Sequence, residues 1–231
     1  MPAILRIKND YGTTLISSGD PTLAMRQSGS VTLNGSGEAV VTIYNCEFPT
    51  LAARCTSMVG LKSTVRSDTT TTYTIKGAPG AVVYWYYFDR PEHSGGGKVV
   101  LRVRNPNDGK LTFDSGRRIG KVVGTVQNDN HTWTGTAGRT YAVILDTTAT
   151  KEQYWNVSYV RDGANYETIQ YWNHGWSTNA ILVNGASVQT GWVESIGYVD
   201  EFVGDMGYSV APPDNVIGVG MVQIILDVTG Y

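Results

Sequence analysis

Apolar and polar residues alternate along most of this chain in short runs, and clusters of turn-forming residues separate the runs. Such alternation is typical of β-strands, because successive side chains of a strand point to opposite faces. Residues 3–8 and 13–17 flank Asn9-Asp10-Tyr11-Gly12, which predicts a hairpin. Further strands in the first half are predicted at 23–27, 30–33, 39–44, 50–57 and 74–76. The run 50–57, which contains LAARC, is too short for periodicity to decide between a strand and a short helix, and we favour the strand.

The run from Ala81 to Phe88, AVVYWYYF, is apolar or aromatic at every position. As a strand it places Val83, Trp85 and Tyr87 on one face and Val82, Tyr84, Tyr86 and Phe88 on the other. Since both faces are apolar, we expect this strand to lie between two packed layers or in a subunit interface.

Residues 98–124, KVVLRVRNPNDGKLTFDSGRRIGKVVG, combine three strand-like runs with two turns. The pattern predicts a hairpin of 99–104 and 110–113, a turn at Asp114-Ser115-Gly116 and then another strand. Only 147–153 favours a helical turn, and Asn184-Gly185 is a strong hairpin signal. The strands predicted in the second half are 121–126, 140–146, 154–160, 168–172, 180–183, 187–193 and 219–228.

Many short strands, regular turns and 27 glycines predict an all-β fold. We expect an antiparallel β-sandwich, as one large or two stacked sandwich domains, with a closed barrel as the alternative. Residues 63–72, STVRSDTTTT, are the best candidate for a linker. They suggest an N-terminal β-sheet region at 1–70 and a main sandwich at 71–231, although a single domain over 1–231 fits equally.

Charged residues make up only 16% of the 231 residues, and the formal net charge is -2. Nucleic acids and anionic membranes favour clustered Lys and Arg, so we expect neither as a partner. The N-terminus lacks the pattern of a secretory signal, and no apolar run approaches the roughly 20 residues of a membrane-spanning helix. Cys46 and Cys55 have no second pair beside them, which favours two buried thiols over a bridge.

Signatures of catalysis are missing from the sequence. No phosphate-binding loop and no nucleophile elbow occurs, and His93, His131 and His174 lack the paired spacing of a zinc site. The Asn/Asp clusters at 105–109 and 128–130 are interpreted as turns rather than calcium loops. Carboxylates of the kind that cleave glycosides are expected on the solvated surface, at Asp89, Glu92, Asp114, Glu194, Asp200, Glu201 and Asp205. We therefore expect a non-enzymatic protein without a cofactor or a metal.

Aromatic residues interleaved with polar ones give the best binding candidate. Tyr171, Trp172, Asn173, His174 and Trp176 are predicted to lie in a loop, where rings could stack on sugar faces and amides could bind hydroxyls. The run 154–156 and Trp133 are weaker candidates of the same kind. Packing in the core or in a subunit interface is the alternative explanation for all of these aromatics.

The segment 98–124, with its short Phe113-Asp114-Ser115 element, resembles tail proteins of tailed bacteriophages. The opening ILRIKNDYGTTLIS, the following Leu23-Ala24-Met25-Arg26-Gln27-Ser28-Gly29 and the LAARC stretch after Pro49 are similar to small tail proteins of the siphophage type. Together these matches cover about the first 125 residues. The resemblance supplies a family marker and carries over no functional residues.

What the resemblance implies is a virion protein of the tail tip or a tail fibre. Such a protein assembles in the cytoplasm of the bacterial host, forms a homo-oligomer, contacts other tail proteins and serves tail assembly or host adsorption. The alternative hypothesis is a carbohydrate-binding β-sandwich module that recognises a host surface polysaccharide or another receptor.

Overall fold

The computed structural model describes residues 6–8, 14–17, 22–91, 101–127, 130–145, 150–160, 168–205, 215–217 and 222–231; along 6–8, 14–17, 150–160, 168–175, 195–205 and 215–217 it describes the backbone. Every regular element in this part of the chain is a β-strand. The strands are β1 (Arg6–Lys8), β2 (Thr14–Ser17), β3 (Ala24–Thr32), β4 (Glu38–Ile43), β5 (Thr50–Arg54), β6 (Val59–Ser67), β7 (Thr70–Gly77), β8 (Val82–Asp89), β9 (Arg102–Arg104), β10 (Leu111–Asp114), β11 (Lys121–Gln127), β12 (Thr132–Thr134), β13 (Tyr141–Ile144), β14 (Thr150–Val160), β15 (Thr168–Asn184), β16 (Ser187–Asp205), β17 (Asn215–Ile217) and β18 (Val222–Asp227).

Two large antiparallel sheets stack face to face and do not close into a barrel. The first sheet has the strand order β11-β18-β13-β5-β8-β3, and the second has the order β12-β16-β15-β6-β7-β4, with β14 and β17 added beside β15. The predicted all-β sandwich is confirmed. Both sheets take strands from either side of residue 70.

The main core lies between the sheets and follows from the alternation along each strand. In β7, Tyr73 and Ile75 point inward, and in β8 Val83, Trp85 and Tyr87 do the same. All five are at most 9% exposed. Burial of a large apolar side chain stabilises the fold by roughly 1.5–3 kcal/mol.

A smaller apolar cluster covers part of the outer face of the first sheet. Phe88 and Tyr86 pack there with Leu226 of β18 and with Tyr231. Residues 112–120, called here the flanking segment, run beside the start of β3, where Arg118 accepts a backbone hydrogen bond from Met25 at 2.7 Å.

The prediction that both faces of β8 require cover is therefore met only in part. The flanking segment reaches Phe88, since a β carbon on Gly120 would lie 3.3 Å from that ring. Val82 and Tyr84, nearer the start of the strand, are each 43% exposed. The guanidinium of Arg54 lies 4.2 Å from the centre of the Tyr84 ring and leaves much of this end open to solvent.

Several local predictions are confirmed. The strands β1 and β2 pair as a hairpin, β9 and β10 pair across the turn at 105–109, and β15 turns into β16 at Gly185, whose φ is 57°. The ambiguous run after Pro49 is the strand β5. Cys46 and Cys55 are both buried and free, as expected.

Three local predictions are wrong. Residues 63–72 are not a linker but the ends of β6 and β7, which pair down to Ser67 and Thr70, because threonine is a good strand former. The predicted strands 23–27 and 30–33 are one strand, β3, since Gly29 continues the ladder opposite Trp85. The predicted helical turn at 147–153 is a strand from Thr150 onward, and residues 146–149 lie outside the described part of the chain.

The second sheet contains two strands that are longer than any strand of the first sheet. β15 has 17 residues and β16 has 19, whereas β3, the longest strand of the first sheet, has 9. At about 3.3 Å per residue, β16 spans roughly 60 Å and β3 roughly 30 Å. We call residues 150–160, 168–178 and 193–205 the arm. In the arm, β15 pairs with β14, whereas at Ala180 and Ile181 it pairs with β6.

Candidate functional site

The predicted sugar-binding residues lie inside β15 and not in a loop. Regular pairing with β14 runs through this whole region, from Thr168 to Thr178. Aromatic residues favour strands, and here they outweigh the loop tendency of Asn173 and Gly175.

Strand alternation divides the five predicted residues between two faces. Trp172, His174 and Trp176 occupy one face of β15, and Tyr171 and Asn173 occupy the other. Side chains 171–174 lie outside the described part of the structure, and Trp176 is half-buried. The sugar-binding role of these residues stays a prediction, and any single site would use one face only.

A groove elsewhere has the features of a binding site in its described residues. It has a volume of about 430 Å³ and lies where β11, β13 and β18 of the first sheet meet β12 of the second. Its lining combines two aromatic rings, two cations, one carboxylate and two threonines. These residues are Lys121, Val123, Trp133, Thr134, Gly135, Thr136, Arg139, Tyr141 and Asp227.

Two glycines hold the indole of Trp133 in place. A β carbon on Gly124 would lie 2.5 Å from Nε1 of Trp133, and one on Gly135 would lie 2.5 Å from Cη2. The ring of Tyr141 meets the indole edge-on, with 5.0 Å between the ring centres. Because no side chain larger than hydrogen fits at either glycine, the position of the indole is fixed before any ligand binds.

The loop that forms one wall of the groove is tied to Tyr141. Its hydroxyl accepts a hydrogen bond from the Thr136 N–H at 2.8 Å and donates to the Thr136 carbonyl at 3.2 Å. Gly138, with φ at 80°, makes the turn that returns the chain to Arg139. Tyr141 itself is 3% exposed, so it anchors the wall from the core side.

Charged groups line the floor of the groove. Lys121 and Tyr141 are both direct cross-strand neighbours of Asp227. The Asp227 carboxylate accepts the Thr229 N–H at 3.0 Å and pairs with Arg139 at 3.3 Å. Burial alone would raise the pKa of Asp227, but the hydrogen bonds from Thr229 and the charges of Arg139 and Lys121 outweigh it and lower that pKa.

The arrangement suits reversible binding of a polar ligand. Hydroxyls and charged groups in one groove are the features by which proteins orient small polar molecules. The sequence pointed to Trp133 alone in this group. Lys121, Tyr141 and Asp227 were missed because they come from three separate strands, and Arg139 because it lies in the loop before β13. No pattern in the sequence marks these four residues as a group.

Asp89 is the centre of a second polar cluster. Its carboxylate accepts N–H groups of Glu47 at 2.9 Å, Phe48 at 2.7 Å and Arg90 at 2.6 Å, and the hydroxyl of Tyr87 also donates to it. Burial and the neighbouring Asp89 carboxylate raise the pKa of Tyr87. These contacts fasten the segment 46–48 to the end of β8, which is a structural role.

The expectation that the acidic residues lie on the solvated surface is wrong for two of them. Asp89 is 0% and Asp114 is 1% exposed, because each accepts several hydrogen bonds that replace water. Glu194 is exposed as expected, and the side chains of Glu92, Asp200, Glu201 and Asp205 lie outside the described residues. Asp114 ends β10 and accepts the Gly116 N–H at 2.8 Å, so the Phe113-Asp114-Ser115 element is a strand end and a turn.

Within the described residues, no group of three or more His, Cys, Asp or Glu side chains could hold a metal ion. The turn at 105–109 is closed by Asn105 and Asp108, which accept the N–H groups of Asn107 and Lys110 at 2.9 Å each. No helix among the described residues has the length and the apolar composition that spanning a membrane requires.

Comparison of the chain with protein-family models, with curated proteins and with solved structures gave no match.

Proposed function

We propose that this chain is a non-enzymatic structural protein of a bacteriophage tail, in the tail tip or a tail fibre. In this proposal it forms a homo-oligomer, contacts other tail proteins and contributes to tail assembly or host adsorption in the virion. The resemblance of residues 98–124 and of the opening segments to tail proteins supports this function. The structural observation that carries the proposal is the arm.

The arm has an edge that lacks a partner strand among the described residues, and such edges join subunits. Among the described strands, β16 has β15 on one side and only β12 on the other, paired over Ser187 to Gln189. The residues of β16 in the arm therefore have no described partner strand on the second side. Unpaired N–H and C=O groups along an edge bind another strand readily, which favours assembly between copies.

The mass of the purified protein in solution tests this assembly. Sedimentation should give a stable oligomer, and mass spectrometry should detect the chain in purified virions. A monomer that is missing from particles would refute the proposal.

Two single proline variants at adjacent positions of β16 test whether the open edge of the arm is the interface between subunits. Val199 and Asp200 pair with His174 and Asn173, and consecutive N–H groups of a strand point to opposite sides. Of Val199→Pro and Asp200→Pro, one removes a hydrogen bond to β15 and the other removes a donor from the open edge. We expect the second kind of variant to lose the oligomer but keep its circular dichroism spectrum. Parental mass in both variants would show that the edge is not an interface.

Carbohydrate binding is the second candidate function, and the groove around Trp133 favours it. A module of this kind would recognise a host surface polysaccharide. The expected result is quenching of tryptophan fluorescence by that polysaccharide, lost in Trp133→Phe if the groove binds it and in Trp172→Ala if the arm does. No response to a panel of host polysaccharides would contradict this function.

A further inference from the structure

Lys121 and Arg139, the two cations of the groove, have N–H donors that form no hydrogen bond with the described residues. Arg139 is half exposed, and its one described side-chain contact is from Nη1 to Asp227 at 3.3 Å. The ammonium group of Lys121 forms no ion pair or hydrogen bond with any described residue. A guanidinium has five N–H donors and an ammonium three, so most of these donors face solvent at the groove.

Asp227 does not neutralise both cations. Its carboxylate is 8% exposed and already binds Thr229, so it offers little to a ligand from solution. One carboxylate and two cations together leave a net charge of about +1 in the groove beside Trp133. The contact from Asp227 to Nη1 instead orients the Arg139 guanidinium, which is the planar donor that pairs best with a carboxylate.

We infer that the groove recognises an acidic saccharide, whose carboxylate is bound by Lys121 and Arg139 beside Trp133. This inference rests on the second candidate function and names the ligand class of that site. The Thr134 and Thr136 side chains in the lining supply hydroxyls for the neutral part of the sugar. The volume of about 430 Å³ suits a short oligosaccharide segment.

Calorimetry with trigalacturonate and its methyl ester tests the charge requirement. The two ligands share the same rings, and only the first carries carboxylates. We expect the acid to bind the full chain about tenfold or more tightly than the ester, since a charge-assisted hydrogen bond is worth more than a neutral one. The affinity for the acid should also fall between about 50 mM and about 300 mM salt.

Variants locate the site. Lys121→Ala breaks no described hydrogen bond or ion pair, and we expect it to weaken binding of the acid about tenfold. Arg139→Ala should do the same, with partial recovery in Arg139→Lys. Lys62→Ala is the matched control, because its ammonium pairs with Glu38 at 2.7 Å outside the groove, and it should bind like the parent.

Three results would overturn the inference. Equal binding of acid and ester would mean that the carboxylate is not recognised, although carbohydrate binding would stand. Unchanged affinity in both Lys121→Ala and Arg139→Ala would place the ligand elsewhere. Failure of the parent to bind either ligand would reject this ligand class, and the fluorescence response to host polysaccharide would show separately whether carbohydrate binding fails with it.

Discussion

Gly29 of β3 lies directly opposite Trp85 of β8, and a β carbon on this glycine would lie 2.7 Å from Cζ2 of the indole. The glycine therefore makes room for the largest side chain of the core. Its presence in the middle of a strand, where glycine is usually unfavourable, has a packing reason.

Gly29→Ala is expected to lower the free energy of unfolding by roughly 1–3 kcal/mol, because the added methyl group must displace the indole. Denaturant unfolding followed by tryptophan fluorescence measures the change. Gly35→Ala is the control, since no described atom outside its two chain neighbours lies within 4 Å of the added carbon, and it should stay within about 0.5 kcal/mol of the parent. Equal midpoints for the two variants would contradict the packing argument.

Asp89→Asn is expected to cost roughly 2–3 kcal/mol of stability, because the buried carboxylate accepts three backbone N–H groups and the Tyr87 hydroxyl. Thermal or denaturant unfolding gives the value. Asp108→Asn provides the comparison: this side chain is 44% exposed, lies 3.8 Å from Arg90 and keeps its turn as asparagine. A similar small effect in both variants would show that the Asp89 cluster adds little.

The two cysteines should resist thiol reagents in the folded protein. Cys46 is 1% and Cys55 is 3% exposed, and both are free. We expect almost no reaction with a chromogenic disulfide reagent under native conditions and reaction of both thiols in denaturant. Rapid native labelling of either cysteine would contradict the described burial.

Acid should destabilise the protein through Asp114 and Asp227. For Asp114, burial alone would raise the pKa, but the Gly116 N–H and the Arg102 guanidinium outweigh it, so the pKa of both carboxyls lies below the ordinary value. A carboxyl with a lowered pKa in the folded state stabilises above its unfolded pKa of about 4, and this contribution is lost as the pH falls through the lowered value.

The midpoint of urea unfolding between about pH 7 and pH 3 measures this loss. We expect a shallower decline in Asp114→Asn and Asp227→Asn than in the parent, because each variant has already lost its ionisable group. Curves that run parallel to that of the parent would argue against these two residues as the acid-sensitive groups.

The sequence was sufficient wherever strand periodicity carried the information. In β4, Ala39, Val41 and Ile43 alternate with polar or exposed positions, and the strand forms as predicted. The hairpin at 63–72 was misjudged because its buried position Thr71 is polar, so low hydrophobicity concealed a strand face. Gly29 was predicted as part of a turn. It lies within a strand instead, because it packs against Trp85 of β8, which the residues next to it in the sequence do not reveal.

The groove could not be predicted for a physical reason. Lys121, Asp227 and Tyr141 lie side by side only after β11, β18 and β13 have paired, and this pairing joins distant parts of the chain. Alternation within one strand tells which residues share a face. It does not tell which strands become neighbours.

β15 connects the core to the arm, and this continuity has a consequence for the register. At Ala180 and Ile181 it pairs with β6, where both side chains are 0% exposed, and the same strand continues without a break to Thr168. A slip by one residue would turn Ile181 away from the core. The core therefore decides which residues appear on each face of the arm, roughly 30 Å away at Trp172.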